Sequence, residues 1–212
     1  MRCRPGCLFC AQAKDWRAAL RLFSTAKDAG LLPDTETFAG VIFACTSQGR
    51  WQIALEMLAE ADKNGCQLSA STYTNVIIAC ARARRPLEAE TALRSLESHG
   101  PHSADVGAYT ALMSAWATVG RWEAALQTLG RMRAAKLVPN VVTWTALVTA
   151  CGKGGRPDIG EEVMAQMRAA GCDPNVVTWT ALINGYAKKG AWEEAERAWE
   201  DMCAQGGTPN VV

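Results

Sequence analysis

A period of 35 residues runs through this chain and constrains its fold more than any other feature. The two clearest copies begin at Val141 and Val176 and read VVTWTALVTACGKGGRPDIGEEVMAQMRAAGCDPN and VVTWTALINGYAKKGAWEEAERAWEDMCAQGGTPN. An aromatic residue at the fourth position marks the register of five copies: Phe38, Tyr73, Tyr109, Trp144 and Trp179. Self-similarity at a fixed period of this size predicts a solenoid in which each unit packs on its neighbours.

The period also predicts how the chain is organised. We assign five repeats, at residues 35–69, 70–105, 106–140, 141–175 and 176–210. The second repeat holds one extra residue in the stretch 101–105. Residues 1–34 are interpreted as a degenerate N-terminal repeat, and residues 211–212 as the start of a further, truncated repeat. Because a solenoid needs terminal units with a polar outer face, we expect more repeats or another domain to follow.

Each repeat predicts two helices separated by a turn. The turn carries glycine at the fifteenth position in four copies: Gly49, Gly120, Gly155 and Gly190. Arg84 replaces this glycine in the second repeat. The first helix, for example residues 143–153, is expected to open on a threonine that caps its free N–H groups. The second helix is expected to begin two residues after the glycine, where Pro86 and Pro157 suit a first helical turn.

Several repeated positions predict the core. Small residues at the fourth position of the second helix let a neighbouring helix approach closely: Ala54, Ala89, Ala125, Gly160 and Ala195. Methionines follow seven residues later on the same face: Met132, Met167 and Met202. One position of the first helix holds Trp116, Tyr186 and three cysteines: Cys45, Cys80 and Cys151. A position that cysteine shares with tryptophan and tyrosine is typical of packing, so we expect reduced thiols in an intracellular compartment.

Composition narrows the class of protein. The chain has 212 residues, of which 49% are hydrophobic and 20% charged, which is typical of a globular protein with a sizeable core. The sequence lacks the run of about 18 to 20 apolar residues that would span a bilayer, so we expect no membrane partner. The net charge of +1 gives no support to nucleic-acid binding by itself, so such a function depends on where the charges lie.

The repeat unit resembles the plain type of the pentatricopeptide repeat family. The resemblance lies in the VVTWTALI opening, the glycine turn, the small-residue helix and the terminal Pro-Asn or Pro-Asp, and it covers nearly the whole chain. It implies an all-α fold, a right-handed α-solenoid superhelix of stacked helix-turn-helix repeats. The tetratricopeptide family, which binds peptides, is the alternative. Its unit has about 34 residues and a W-x2-L-G-x2-Y pattern that does not occur here.

The resemblance implies binding of single-stranded RNA on a concave face, with one base per repeat. In this family the fifth and the last residue of each repeat are understood to contact the base. The matching pairs are Thr74 with Asp105, Thr110 with Asn140, Thr145 with Asn175, and Thr180 with Asn210. The first repeat carries Ala39 and Ser69, and no particular base is assigned to it. The family associates Thr and Asn with adenine and Thr and Asp with guanine, so repeats two to five are expected to read 5′-G-A-A-A-3′.

Two further sets of residues follow from the resemblance. The second residue of a repeat is implied to pack between bases, and Val142 and Val177 offer apolar wedges for that role. Arg82, Lys153 and Lys188 share the thirteenth position and are candidate phosphate contacts, with solvated surface charge as the alternative. Five acids of the last repeat lie on its second helix, so a nearly neutral chain can have a basic groove and an acidic back.

Motifs that suggest chemistry have simpler explanations here. Cys3, Cys7 and Cys10 form C-x3-C-x2-C, a spacing that also holds the iron–sulfur cluster of radical enzymes. Those enzymes need a barrel of strands, whereas the rest of this chain is helical repeat. The two histidines, His99 and His102, have no paired ligand or carboxylate motif nearby. We therefore predict no metal, no cofactor, no small-molecule substrate and no catalysis by this chain alone.

These observations favour a sequence-selective RNA-binding protein of organellar RNA metabolism. Its role would be processing, stability, editing or translation of a transcript in the chloroplast or the mitochondrion, as the resemblance implies. Two alternatives stay open at this stage. One is a protein-interaction scaffold of the tetratricopeptide kind that uses the same groove, and the other is the RNA-binding part of a larger enzyme.

Overall fold

The computed structural model describes residues 15–99 and 104–205. In these two stretches the chain forms eleven α-helices joined by turns. The predicted degenerate first helix lies in residues 1–14, outside the described residues, and so do residues 101–103 of the stretch with the extra residue. None of the described helices is long and apolar enough to cross a membrane.

The helices follow the predicted order of two per repeat. Helix α1 (Trp16–Asp28) comes first. The next four helices are α2 (Thr35–Ser47), α3 (Trp51–Lys63), α4 (Ala70–Arg82) and α5 (Pro86–Ser98). The remaining six are α6 (Val106–Val119), α7 (Trp122–Ala134), α8 (Val141–Lys153), α9 (Pro157–Ala169), α10 (Val176–Lys189) and α11 (Trp192–Ala204). The prediction of an all-α fold built from helix-turn-helix repeats is therefore confirmed.

The helices divide into two compact units with a boundary between Ala104 and Asp105. In unit 1, α1 packs on α2, α2 packs on α3 and α4, and α4 also contacts α3 and α5. In unit 2 the first helices α6, α8 and α10 pack side by side, and α7, α9 and α11 each pack on the first helix of their own repeat. Helices α7 and α9 also touch the first helix of the next repeat, so each unit is a continuous stack.

The predicted core positions are buried. The fourth-position aromatic residues are at most 4% exposed: Phe38, Tyr73, Tyr109, Trp144 and Trp179. The three methionines and the three shared cysteines are buried as well: Met132, Met167, Met202, Cys45, Cys80 and Cys151. Burying one large apolar side chain contributes roughly 1.5–3 kcal/mol, so this row of contacts between neighbouring repeats supplies much of the stability of each stack.

The predicted glycine turn between the two helices takes a left-handed residue. The backbone angle φ is 71° at Gly120 and 76° at Gly190. Arg84 takes the same conformation with a φ of 57° although it carries a side chain. A non-glycine residue can adopt this region at a modest energetic cost, so the second repeat keeps its turn without glycine.

The predicted start of the first helix is wrong by two residues. Helix α8 begins at Val141, and its N-cap is Asn140, the last residue of the preceding repeat. The side chain of Asn140 accepts a hydrogen bond from the backbone N–H of Thr143 over 2.9 Å. Thr143 thus lies in the first turn instead of capping it, and its hydroxyl reaches back to the backbone N–H of Asn140 over 3.4 Å. The reciprocal pair is a capping box. Asn140 is the N-cap of the pair because its backbone is extended, as an N-cap requires, whereas Thr143 is already helical.

Candidate nucleic-acid interface

The starts of two first helices, α8 and α10, carry the exposed apolar residues expected of a wedge. Val142 and Val177 are second in α8 and α10, and these residues are 59% and 62% exposed. The next residues, Thr143 and Thr178, are fully buried. Each helix therefore begins with a valine that faces outward beside a threonine that faces inward, and the valines are free to contact a partner.

The last residues of the third and fourth repeats, Asn140 and Asn175, are helix caps. Asn140 and Asn175 accept the backbone N–H groups of Thr143 and Thr178 through Oδ1, each over 2.9 Å. A backbone N–H can only donate, so the amide oxygen must face the helix and the amide nitrogen must face away from it. Both asparagines are exposed, so their N–H2 groups are the polar atoms left for a partner. Asp105 caps α6 in the same way, with Oδ1 at 2.8 Å from the N–H of Ala108.

A buried hydroxyl links the fifth and the last residue of the third repeat. The Thr143 hydroxyl lies 2.9 Å from Asn140 Oδ1 and 2.7 Å from the Thr110 hydroxyl. Thr110 and Thr143 are 33 residues apart in the sequence and meet where α6 packs on α8. The structure therefore brings together Thr110 and Asn140, which the sequence predicts as one base-reading pair.

The fourth repeat has the same arrangement. The Thr178 hydroxyl lies 2.9 Å from Asn175 Oδ1 and 2.7 Å from the Thr145 hydroxyl. Thr145 also bonds to the backbone carbonyl of Val141 over 2.8 Å. Thr145 and Asn175 are thus joined through Thr178, as Thr110 and Asn140 are joined through Thr143.

The other predicted pairs are only partly described. In unit 1 the Thr74 hydroxyl donates to the Ala70 carbonyl over 2.9 Å. Its expected partner, Asp105, belongs to unit 2. The Thr180 hydroxyl donates to the Val176 carbonyl over 2.7 Å, and its expected partner, Asn210, lies outside the described residues.

The first repeat shows a weaker version of the same arrangement. The Ser69 hydroxyl bonds to the hydroxyls of Ser71, over 2.8 Å, and Thr72, over 3.0 Å. Ala39 offers no hydroxyl at the fifth position. The first repeat therefore has a polar last residue without a polar partner at the fifth position.

A cavity of about 630 Å³ opens between α8 and α10 in unit 2. It is lined by the wedge Val177, the fifth-position Thr180, and two of the candidate phosphate contacts, Lys153 and Lys188. Its lining in the described part of the chain includes no acid, so the two ammonium groups give it a positive potential. The cavity is large enough for a flat aromatic ligand and is partly apolar, which suits a nucleobase and its phosphate.

Two polar residues of the cavity are not predicted from the sequence. Asn184 adds an exposed amide, and Thr149 adds a half-buried hydroxyl at the equivalent place in α8. Both stand at the ninth position of their repeat, four residues after the fifth. Residues four apart share one face of a helix, so this spacing was the available signal.

Two glycines let α8 and α10 approach each other closely at the cavity. A Cβ atom on Gly152 would collide with the carbonyl oxygen of Ala181. The sequence shows both Gly152 and Gly185 but gives no reason to pair them, because they hold different positions in their repeats. They form part of the cavity lining.

The remaining cationic candidate and the acidic helix lie elsewhere. Arg82 is exposed in the last turn of α4 in unit 1 and is not among the residues that line the cavity of unit 2. In unit 2 the second helix of the last repeat exposes five acids: Glu193, Glu194, Glu196, Glu200 and Asp201. Unit 2 thus has lysines at the cavity and carboxylates on α11.

The histidines and the N-terminal cysteines contribute no described metal site. His99 bonds to the Ser95 carbonyl through Nδ1 over 2.8 Å, and its Nε2 lies 3.6 Å from Asp62. His102 and the cysteines of the C-x3-C-x2-C motif, Cys3, Cys7 and Cys10, lie outside the described residues. Within residues 15–99 and 104–205 no group of three or more potential ligands could hold a metal ion.

Asp62 is the centre of a polar cluster in unit 1. The Tyr73 hydroxyl donates to it over 2.6 Å, and the Ser95 hydroxyl donates to its other oxygen. Burial and the bond to the carboxylate raise the pKa of Tyr73 well above its ordinary value. These bonds tie α3, α4 and α5 together, which explains the cluster as a structural one.

Family models match this sequence along most of its length. The model described as the pentatricopeptide repeat domain matches residues 21–83 and 103–154, more than half of the chain. The model of the PPR repeat family matches residues 139–185 and 174–212, and a PPR repeat model matches residues 71–101. None of the curated protein sequences compared matches this chain.

Solved structures share the fold. The pentatricopeptide repeat protein PPR10 from maize is 26% identical with a TM-score of 0.62, over 94% of this chain and 33% of that chain. PPR10 in complex with an 18-nt psaJ RNA element is 23% identical with a TM-score of 0.71, over 94% and 29% of the two chains. Nuclear proteinaceous RNase P 2 from A. thaliana is 16% identical with a TM-score of 0.75, over 87% and 41%.

This chain therefore spans about a third of the length of the maize protein that it matches. The match extends over nearly all of this chain, and the stacked helix pairs described above are the shared feature. Because the repeat-domain model also covers more than half of the sequence, the chain belongs to the pentatricopeptide repeat family.

Proposed function

We propose that this chain binds single-stranded RNA, with one base at each complete repeat. The observation that carries the proposal is the cavity between α8 and α10, where an exposed valine wedge, a fifth-position threonine and two lysines converge. An apolar side chain can pack against any base, and ammonium groups can neutralise the phosphates beside it. The relative crystallised with an 18-nt RNA element supports the choice of RNA as the partner.

The caps suggest which base each repeat takes. Asn140 and Asn175 use Oδ1 for the helix, so each offers amide N–H groups, which suit the N1 acceptor of adenine. Asp105 also uses Oδ1 for its helix, and its second carboxylate oxygen only accepts. It suits guanine, whose N1–H and N2 amino groups are donors. Repeats two to five then read 5′-G-A-A-A-3′, with Asn210 assigned to the last adenine.

The affinity of this chain alone is expected to be modest. Stacking contributes on the order of 1–3 kcal/mol per base in single-strand binders. Val142 and Val177 are the two aliphatic wedges at the second position of the five repeats proposed for residues 35–210. We therefore expect dissociation constants in the micromolar range at physiological salt.

Membership in the family supports a proposal for the biological role. We propose that the chain is the RNA-binding part of a protein that acts on a chloroplast or mitochondrial transcript and that it performs no catalysis itself. One structural neighbour is an RNase P, but at 16% identity that likeness concerns the fold. A fluorescent fusion of the complete gene product tests the location, and accumulation outside both organelles would contradict it.

Binding is tested by titrating the chain into labelled RNAs that contain GAAA. We expect binding to the single strand, weaker binding to a strand with GUUU, and little binding to a duplex of the same sequence. The affinity should fall as salt rises, because lysines at the cavity displace counterions from phosphates. Equal binding to single strand and duplex, or none to either, would overturn the proposal and favour a protein partner for the same surface.

A further inference from the structure

We infer that the buried threonines Thr143 and Thr178 determine the base specificity of the repeats that precede them, although neither touches the base. Each is the third residue of a repeat and sits between the fifth and the last residue of the repeat before it. The inference rests on the proposed function. Thr143 and Thr178 would control which atoms of the fifth and last residues donate to a base and which accept from it.

The hydroxyl protons of the third repeat can be assigned one by one. Asn140 Oδ1 has no proton, so the bond between it and the Thr143 hydroxyl uses the single hydroxyl proton of Thr143. The bond between the hydroxyls of Thr110 and Thr143, at 2.7 Å, must then use the proton of Thr110. The chain of bonds therefore runs in one direction, from Thr110 through Thr143 to Asn140.

This direction fixes what the pair offers to a base. The Thr110 hydroxyl donates its proton to Thr143, so it presents only oxygen lone pairs to a base. Asn140 Oδ1 accepts hydrogen bonds from Thr143, so Asn140 presents only its amide N–H groups to a base. Adenine satisfies both if its N6 amino group donates to Thr110 and its N1 accepts from Asn140.

Guanine in the same orientation is opposed at both atoms. Its O6 would face the lone pairs of Thr110, and its N1–H would face the N–H groups of Asn140. If the proton of Thr110 were free, the hydroxyl could turn and donate to O6, and one of the two conflicts would disappear. The buried hydroxyl of Thr143 prevents that turn, so it helps to reject guanine without contacting it.

The fifth-position hydroxyls of the third and fourth repeats differ in the number of acceptors that they have inside the protein. The Thr145 hydroxyl has two acceptors inside the protein, the Thr178 hydroxyl at 2.7 Å and the Val141 carbonyl at 2.8 Å. Removal of the Thr178 hydroxyl leaves Thr145 with the carbonyl as acceptor. The Thr110 proton goes to Thr143. Loss of the third-position hydroxyl should therefore matter more at the third repeat than at the fourth.

The test compares Thr143→Val, which removes the hydroxyl at nearly constant volume, with Thr143→Ser, which keeps it. Anisotropy titrations use labelled RNAs with A or G at the base assigned to the third repeat, and a second pair with A or G at the fourth. Thr143→Val should lower the preference for A over G about fivefold at the third repeat, the effect of roughly one neutral hydrogen bond. The preference at the fourth repeat should not change.

Two variants control for packing and folding. Thr143→Ser should keep the preference of the wild type, and Thr178→Val should lower the preference at the fourth repeat by a smaller factor than Thr143→Val does at the third. Circular dichroism melts check that each variant is folded. If Thr143→Val does not fold, the comparison of Thr143→Ser with Thr143→Ala gives the same readout, with the loss expected only for alanine.

The outcomes separate the inference from the proposed function. Equal losses in Thr143→Val and Thr143→Ser would mean that the methyl group matters and the hydroxyl does not, which overturns the inference. An unchanged preference in Thr143→Val overturns it too, while RNA binding stands. If the wild type does not bind single-stranded RNA, the proposed function itself fails.

Discussion

A Cβ atom on Gly185 would lie 2.7 Å from the Cα of Gly152, so α8 and α10 touch backbone to backbone beside the cavity. Real Cβ atoms essentially never approach so closely, and the atom opposite is backbone that cannot swing away. The distance between these two first helices, and with it the width of the cavity, therefore depends on the missing side chain of Gly185.

Gly185→Ala should destabilise unit 2. The added methyl group must push α8 and α10 apart, and overpacking of this kind costs roughly 1–3 kcal/mol. Urea denaturation measures the change in the free energy of unfolding. Gly130→Ala in α7 is the matched control, because no heavy atom outside its own helix backbone in the described residues lies within 4 Å of a Cβ there. That change should stabilise by about 0.5–1 kcal/mol through helix propensity. Equal effects of the two changes would contradict the close approach.

Lys188→Gln should weaken RNA binding, whereas Lys189→Gln should leave it nearly unchanged. Lys188 lines the cavity. Its neighbour Lys189 acts on Asp158 of α9, where it helps to lower the pKa of that carboxyl. The two variants have the same net charge, so a general effect of charge would appear in both. The slope of log affinity against log salt should fall by about 0.7 for Lys188→Gln if one phosphate contact is lost.

Asn175→Asp should shift the base preference of the fourth repeat from adenine towards guanine. Asp can keep the cap on Thr178 with one oxygen, so the fold should be retained, and a carboxylate near a helix N-terminus is favourable. The second oxygen only accepts, which suits the guanine donors, and the shift should be on the order of 1–3 kcal/mol. RNAs that differ only at that base provide the measurement, and the base of the third repeat is the internal control. An unchanged preference would mean that Asn175 is a cap and nothing more.

Alkaline pH should destabilise the fold through its buried thiols. Burial raises the pKa of Cys45 to about 11 and that of Cys80 and Cys151 to about 12, from an ordinary value of 9.0. A raised folded-state pKa means that the unfolded chain loses the proton first. The contribution of each buried thiol to the free energy of unfolding is therefore fully present below about pH 8.5 and falls as pH rises. Each thiol adds a slope of up to about 1.4 kcal/mol per pH unit.

The contribution of one thiol is measured by replacement. Cys151→Ala should make the fall in unfolding free energy between about pH 9 and 11 less steep, although alanine leaves a small cavity and lowers stability at neutral pH. Denaturation is followed under reducing conditions at several pH values. Cys203, which is exposed on α11, supplies the control variant Cys203→Ala. An identical pH profile in Cys151→Ala and the wild type would show that this thiol titrates alike in the folded and unfolded chain.

The sequence predicts the features that recur at one phase of the period, because packing between neighbours repeats with it. The burial of Trp144 and the turn at Gly120 are of this kind. The sequence does not predict the start of α8 correctly, because both Asn140 and Thr143 can cap a helix and the backbone conformation decides between them. The link from Thr110 to Thr143 crosses 33 residues and depends on how α6 lies against α8. No local pattern contains that information.

The double use of Asn140 and Asn175 has a consequence for how such a protein can change its target. Each side chain starts a helix and, on the proposed function, also recognises a base. Only residues that cap helices well are tolerated at such a place, chiefly Asn, Asp, Ser and Thr. A mutation to a longer or apolar side chain would remove the cap and destabilise the start of the helix, whatever its effect on base recognition. The set of bases that a repeat can recognise is therefore limited by which residues can cap an α-helix.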